Sequence, residues 1–148
     1  KSFNENMINI SEFQINKFID YIIKITESYA LMNQKRITLQ NVEIFNLCTD
    51  QIKLKQILIN LLQNSVTHSS GNLINLNVFN NQNTVIIQIE NDISNVFNYS
   101  IHNNNFDKSD NLGLFISNYL IKQISGELKF IQNNNKLMTI ISIPKKNV

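Results

Sequence analysis

The stretch from residue 51 to residue 68 constrains the fold of this chain more than any other part of the sequence. Its apolar side chains recur at intervals of three and four residues, the period of one face of an α-helix. The members of this stripe are Leu54, Ile57, Leu58, Leu61, Leu62 and Val66. Asp50 stands where a helix N-cap is expected, and the polar cluster 69–72 ends the pattern. A helix with a continuous apolar face must bury it, so the chain needs a second layer for it to pack on.

The rest of the sequence predicts that second layer. Segments in which apolar and polar residues alternate are typical of half-buried strands. They cover 36–40, 73–79, 84–90, 127–131 and 138–143, with shorter candidates at 13–15 and within 42–48. Helical spacing predicts two more helices, at 17–33 with Asn16 as its cap and at 113–125 with Gly126 at its end. The polar stretch 91–111 is predicted to be a loop. The predicted fold is α+β: a two-layer α/β sandwich with a mixed, mostly antiparallel sheet of about five strands and three helices on one face.

Composition excludes several classes of protein. Hydrophobic residues make up 43% of the chain and the net charge is +2. The chain is therefore not a disordered one, and we expect no nucleic-acid partner. No apolar run approaches the roughly 18 residues of a transmembrane helix, so we expect no membrane contact by this domain. The single cysteine, Cys48, excludes a disulfide framework and a cysteine-based zinc site. An intracellular setting, of unknown compartment, follows from that cysteine usage.

The start of the chain bears on its domain organisation. It does not begin with Met and carries no signal peptide pattern. We therefore expect a piece of a longer protein, in which residues 1–12 lead in from a preceding element and residues 13–148 form the domain.

One face of the helix at 51–68 carries candidate binding residues. Asn60, Asn64 and His68 stand four residues apart and therefore share a face beside the apolar stripe. Amide oxygens can coordinate a hydrated Mg²⁺, and Thr67 or His68 can hydrogen-bond a phosphate oxygen. Asn is the most frequent residue of this chain, so such a face also arises as an ordinary solvated surface. The spacing alone leaves both interpretations open.

The residues around this face resemble the N box of the ATP-binding domain of sensor histidine kinases, which belongs to the GHKL group with a Bergerat-type fold. In that motif an Asp precedes Arg/Lys-Leu-x-Gln, an apolar pair and Asn-Leu-x-x-Asn. This sequence has Asp50, then Lys53-Leu54-Lys55-Gln56, Asn60-Leu61-Leu62-Gln63-Asn64 and Thr67-His68-Ser69. Further along, Leu112-Gly113-Leu114 resembles the last glycine box of the family, and 139–144 resembles its closing strand. The resemblance runs in order from about residue 13 to residue 145.

The resemblance implies a nucleotide site on that helix face. It implies binding of ATP and Mg²⁺ if the site is functional, and of neither if it is not. Asn64 matches the family Asn that binds Mg²⁺, and Asn60 matches the nearby Asn on the phosphate side. Thr67 and His68 match positions that contact phosphate or ribose.

Two further segments complete the implied site. Asn91 stands where the family has the Asp that binds the adenine amino group. Asp92 could take that role only if its strand shifted by one residue, which would turn it to the other face of the sheet. The backbone amides of Leu112, Gly113 and Leu114 match the loop that holds the phosphates at a helix N-terminus.

Both glycine boxes depart from the family pattern. The first is Asp-x-Gly-x-Gly in the family and Asn91-Asp92-Ile93-Ser94-Asn95 here, so the β-branched Ile93 replaces a glycine that lets adenine approach closely. The second box keeps only Gly113, and Asp110 adds a negative charge beside the implied triphosphate. The intervening ATP lid is short. Lys108 is the one cation near it, and Phe106 is a candidate for its aromatic residue.

Two functions are compatible with this pattern. The first is a degenerate, pseudokinase-like domain that binds nucleotide weakly or not at all and acts through protein contacts. The second is a competent domain that uses ATP and Mg²⁺ to phosphorylate a His on a separate dimerisation domain in a two-component phosphorelay. His68 belongs to the N box and His102 lacks the flanking residues of an acceptor, so in either case the partner lies outside this sequence. Hydrolytic ATPases of the same fold use an acid in the N-box helix as a general base, and this helix has none after Asp50.

Overall fold

The fold is an α+β sandwich, as the sequence predicts. The structure is a computed structural model that describes residues 7–95 and 108–146, with the backbone alone described at 108–111. Its elements, in chain order, are β1 (Ile10–Gln14), α1 (Ile15–Met32), β2 (Arg36–Val42), β3 (Asn46–Asp50), α2 (Gln51–His68), β4 (Leu73–Asn81), β5 (Thr84–Asp92), α3 (Lys108–Gln123), β6 (Glu127–Asn133) and β7 (Lys136–Pro144). Within the described residues, no helix is long and apolar enough to cross a membrane.

The main sheet has five strands in the order β2-β4-β5-β7-β6. β2 and β4 run parallel and every other neighbouring pair is antiparallel, so the sheet is mixed and mostly antiparallel. Side chains along β5 alternate strictly between buried and half-buried. The helices α1, α2 and α3 pack against β2, β5 and β6 respectively. This arrangement confirms the predicted sandwich of three helices on a sheet of five strands.

α2 has the bounds that the sequence predicts. Asp50 is its N-cap: Oδ1 accepts a hydrogen bond from the Lys53 backbone N–H at 3.1 Å, and Oδ2 accepts one from the Asn9 N–H at 2.9 Å. The apolar stripe is fully enclosed, with Leu54, Ile57 and Leu58 at 0% exposure. A local cap and a buried stripe therefore fix both where this helix begins and how it is rotated about its axis.

α1 begins earlier than predicted. Ile15 is its first residue, and Gln14 is an N-cap whose side chain makes no capping hydrogen bond. Asn16, the predicted cap, lies inside the helix. Ile15 is fully buried and donates its backbone N–H to the Phe45 carbonyl at 3.0 Å. Contacts with a distant part of the chain thus decide this helix start, against the local preference for an Asn cap.

The first strand is also longer than predicted. β1 begins at Ile10 and pairs antiparallel with β3, from Ile10↔Asp50 to Gln14↔Asn46. The two strands form a separate two-stranded ribbon beside the main sheet. The chain end after β7 joins this ribbon, because Cys48 donates its backbone N–H to the Lys145 carbonyl at 3.0 Å.

α3 begins at Lys108, well before the predicted start at Gly113. The predicted loop at 91–111 is therefore shorter at both ends, since β5 also continues to Asp92. The central part of that loop lies outside the described residues, and so do His102 and Phe106. Gly113 therefore lies in the interior of α3. A glycine at such a position costs roughly 0.5–1 kcal/mol of stability relative to alanine.

Gly126 does not have the role of helix-ending glycine that the sequence predicts. The αL residue is Ser125, with φ of 61°. Gly126 donates its N–H to the Ile121 carbonyl at 2.8 Å and Ser125 donates to the Lys122 carbonyl at 3.1 Å, which is a Schellman motif. A Cβ on Gly126 would lie 2.7 Å from the Ser142 carbonyl oxygen and 2.6 Å from a methyl carbon of Ile143. Gly126 is therefore required for the close approach of α3 to β7.

Substitution of Asp50 tests the cap of α2. Asp50→Ala removes the acceptor of two backbone N–H groups, and we expect it to lower the free energy of unfolding by about 1–2 kcal/mol in urea denaturation. Asp50→Asn keeps an oxygen for the Lys53 N–H, so we expect a smaller loss. Equal losses for the two variants would contradict capping as the cause.

Two glycines in or next to α3 provide a matched pair of variants. Gly126→Ala forces a Cβ into a backbone oxygen and the core, so we expect a loss of about 1–3 kcal/mol of unfolding free energy. In Gly113→Ala the new Cβ meets nothing closer than Asn60 Cβ at 3.8 Å, so we expect no loss. Thermal unfolding of both variants measures the difference, and a Gly126→Ala protein as stable as the parent would refute the close-approach argument.

Candidate functional site

A cleft of about 230 Å³ lies along the C-terminal half of α2. Its walls come from all three helices. The lining residues are Tyr29 of α1, Asn60, Gln63, Asn64, Thr67 and His68 of α2, and Gly113 and Leu114 of α3. Six of the residues predicted from the sequence therefore line a single cavity: Asn60, Asn64, Thr67, His68, Gly113 and Leu114.

The two N-box asparagines have different surroundings. Asn60 donates through Nδ2 to the Gly113 carbonyl at 3.4 Å and accepts at Oδ1 from Gln56 Nε2 at 3.1 Å. Its side chain is thus occupied in joining α2 to α3. The Asn64 amide, one turn later, has no hydrogen-bond partner among the residues that the structure describes. Asn64 therefore presents a free amide oxygen to the cleft, as a hard cation would require.

Thr67 and His68 form the end of the cleft near the C-terminus of α2. Both are exposed. Thr67 Oγ1 lies 2.9 Å from the Gln63 carbonyl oxygen and 2.7 Å from the Tyr29 hydroxyl. Because a carbonyl only accepts, the Thr67 proton is directed at Gln63. The Thr67 hydroxyl is thus already engaged inside the protein.

Asn91 lies where β5 approaches α2. It is 2% exposed, and its Nδ2 donates to the Asp92 carbonyl at 3.1 Å. Its Oδ1 is buried and has no hydrogen-bond partner among the described residues, and the same is true of the Ser65 hydroxyl on α2. A buried acceptor without a partner costs about 1–3 kcal/mol, so such atoms are rare unless a ligand or water completes them. Asn91 is not among the residues that line the cleft, and Ile93, two residues further on, is only 5% exposed.

Asp92 is on the opposite face of β5 from Asn91. Its Oδ1 accepts a hydrogen bond from Lys136 Nζ at 2.9 Å, and both side chains are about half exposed. That hydrogen bond and the charge of Asp92 raise the pKa of Lys136. The register Ile74↔Asn91 shows no shift of β5 that would bring Asp92 to the helices. The structure therefore leaves Asp92 outside the cleft.

The backbone amides of residues 112–114 do not form the predicted phosphate-binding loop. A helix leaves only its first four N–H groups without intrahelical partners, and α3 begins at Lys108. Leu112, Gly113 and Leu114 therefore have their amides inside the helix, and the expectation that they stand at a helix N-terminus is wrong. Gly113 and Leu114 contribute to the cleft wall instead, whereas Leu112 is 54% exposed.

The cleft is close to neutral. Of the described residues that line it, none is Lys, Arg, Asp or Glu, and His68 is the one titratable group besides Tyr29. No cluster of three or more His, Cys, Asp or Glu side chains occurs in the described parts of the chain. A cation bound here would therefore depend on amide oxygens and on oxygens of its ligand.

Three residues of this region were not predicted from the sequence. Tyr29 is one of the residues that recur at helical spacing in α1, and that pattern predicts a core residue. Gln63 and Ser65 lie within the N box but outside its two asparagines. No local pattern distinguishes Tyr29, because it reaches Thr67 only through the packing of α1 on α2.

The fold described above is that of the catalytic domain of histidine kinases. Solved structures that share it include the catalytic domain of histidine kinase ThkA, with a TM-score of 0.82 at 21% identity over 95% of this chain and 99% of that one. Full-length ShkA in complex with AMPPNP has a TM-score of 0.82 at 14% identity, over 96% of this chain and 32% of that one. No protein-family model matches the sequence.

Curated proteins of related sequence include the heme sensor protein HssS of Staphylococcus aureus. It is 27% identical over 155 aligned residues, which cover 98% of this chain and 34% of that protein. This chain thus spans about a third of the length of the curated relatives it matches.

Substitution of Asn91 tests whether its buried oxygen serves the fold or a ligand. Asn91→Leu removes the unpartnered acceptor, while the Asp92 carbonyl keeps its hydrogen bond from the Ser70 N–H at 2.8 Å. We expect the free energy of unfolding to rise by about 1 kcal/mol in urea denaturation. A loss of stability instead would mean that the Asn91 amide is a structural group.

Proposed function

We propose that this chain is the catalytic-type, ATP-binding domain of a sensor histidine kinase whose nucleotide site is degenerate. In this proposal ATP with Mg²⁺ binds weakly or not at all, and the domain works through protein contacts. The single observation that carries the proposal concerns the residues at the end of the site where adenine is expected to bind. There the implied adenine-binding carboxylate is a neutral amide, Asn91, and the side chain of Ile93 fills buried space where the resembled family has glycine.

The phosphate end of the cleft supports the same proposal. A triphosphate carries several negative charges, and charge-assisted hydrogen bonds are roughly twice as strong as neutral ones. The described lining supplies no Lys or Arg. The Thr67 proton is directed at Gln63, and the amides at 112–114 are inside α3. The site therefore offers mainly neutral donors to a strongly charged ligand.

ATP and Mg²⁺ nevertheless fit part of this site. The free amide oxygen of Asn64 can hold one position of a hydrated Mg²⁺, which keeps several waters and takes phosphate oxygens as further ligands. The unpartnered Oδ1 of Asn91 can accept a hydrogen bond from an amino group such as that of adenine. ATP would supply the phosphoryl group for transfer. Asn64 and Asn91 would hold its two ends.

Protein contacts have a candidate surface on α3. Leu112, Phe115 and Tyr119 recur at helical spacing and are 54%, 49% and 44% exposed. Large apolar side chains grouped on one exposed helix face are typical of interaction sites. The partner in this proposal is the dimerisation and phosphoacceptor domain of a longer chain, or another signalling protein. One structural relative, histidine kinase ThkA, has been solved in complex with a response regulator protein. An intracellular location belongs to the same proposal.

A competent kinase domain is the second candidate function. It would bind ATP and Mg²⁺ and phosphorylate a His on a separate dimerisation domain. Two observations favour it: the free Asn64 amide in the cleft, and the buried acceptor of Asn91 without a protein partner. In this candidate function Asn64 would hold the cation and Asn91 the base.

A titration with ATP and Mg²⁺ separates the two candidates. We expect the unmodified protein to show either no binding or a dissociation constant in the millimolar range, as followed by NMR chemical shifts. If a weak complex forms, Asn64→Ala should weaken it further, because the cation loses its protein oxygen.

Asn72→Ala is the matched control for this titration. Asn72 is exposed in the turn after α2 and its side chain makes no described hydrogen bond. We expect it to leave binding unchanged. Micromolar binding that Asn64→Ala abolishes and Asn72→Ala preserves would overturn the degenerate proposal and establish the second candidate.

A further inference from the structure

Tyr29 reaches the cleft from a different element than the N-box residues. It lies in the last turn of α1, is half-buried, and lines the cleft together with Asn64 and Thr67 of α2. Its hydroxyl oxygen lies 2.7 Å from Thr67 Oγ1. The contact links α1 to α2, as the hydrogen bond between Tyr21 and Lys55 does nearer the start of α2.

The direction of this hydrogen bond follows from counting protons. Thr67 has one hydroxyl proton, and its Oγ1 lies 2.9 Å from the Gln63 carbonyl oxygen, which can only accept. Thr67 therefore donates to Gln63 and accepts from Tyr29. The Tyr29 proton is thus directed toward the cleft residues, with a neutral hydroxyl oxygen as its acceptor.

We propose that Tyr29 is a phosphate-binding residue of this cleft, whose hydroxyl donates to an anionic phosphate oxygen when a nucleotide is bound. The proposal rests on the nucleotide site proposed above and assigns it a contact from α1. In the absence of ligand the same proton is held by Thr67. Binding exchanges that neutral acceptor for a charged one.

The exchange is favourable because the two acceptors differ in charge. A hydrogen bond between neutral groups contributes about 0.5–1.5 kcal/mol, and one to a charged group about 1.5–3 kcal/mol. Two other cleft donors are already committed to backbone carbonyls, since Asn60 donates to Gly113 and Thr67 to Gln63. The described lining of the cleft has no Lys or Arg. The Tyr29 hydroxyl, which can exchange its present acceptor for a phosphate oxygen, therefore contributes a large share of the affinity for phosphate.

Tyr29→Phe tests the proposal by removing only the hydroxyl. We expect the affinity for ATP with Mg²⁺ to fall about tenfold, from the loss of one hydrogen bond to a charged group. The affinity for adenosine, which has no phosphate, should stay the same. The midpoint of thermal unfolding should fall by a few degrees at most, because only the neutral hydrogen bond with Thr67 is lost. NMR titration carried well above the dissociation constant of the parent measures both affinities.

Tyr21→Phe is the matched control on the same helix. The Tyr21 hydroxyl accepts a hydrogen bond from Lys55 Nζ at 3.2 Å outside the cleft, so this variant makes the same chemical change away from the site. We expect it to bind ATP as the parent does. An unchanged ATP affinity in Tyr29→Phe, or equal losses for ATP and adenosine, would overturn the proposal. Failure of the parent to bind ATP at all would also overturn it, while leaving the degenerate function standing.

Discussion

The rest of the structure depends on the burial of one face of α2. Its apolar stripe is enclosed against the sheet, and the Asp50 cap fixes where the helix begins. A helix turns by about 100° per residue, so burying that stripe leaves no freedom in its rotation. Asn60 and Asn64 are thereby held at the edge of the buried face, in the cleft rather than in the core or in bulk solvent. The same hydrophobic burial that stabilises the sandwich therefore positions the polar groups of the site.

The remaining parts of the proposed site come from elements that differ from the pattern of the resembled family. At the end of β5 the buried acceptor is an amide, and Ile93 occupies space beside it. At the start of α3 the helix continues through Gly113, so its backbone amides bond within the helix. The proposed degenerate site thus combines an N-box face that matches the resembled family with base and phosphate ends that do not. A fold can persist after such changes because the buried stripe and the sheet do not depend on the nucleotide.

Sequence reasoning succeeded where the governing forces are local or periodic. The bounds of α2 and the opposite orientations of Asn91 and Asp92 follow from a helix period, a cap and the two-residue period of a strand. The start of α1 could not be predicted, because burial of Ile15 outweighs the capping preference of Asn16. The role of Tyr29 could not be predicted either, since its contact with Thr67 joins residues that are 38 positions apart.

The proposed loss of nucleotide affinity is assigned to the residues at the end of β5. Reinstating Asp at position 91 and Gly at position 93 together, as Asn91→Asp with Ile93→Gly, tests it most directly by titration with ATP and Mg²⁺. We expect a gain of at least about tenfold in affinity over the parent, because a carboxylate accepts the adenine amino group more strongly and the space beside it opens. An unchanged affinity in a folded double variant, or micromolar binding by the parent itself, would contradict a loss of affinity at these positions.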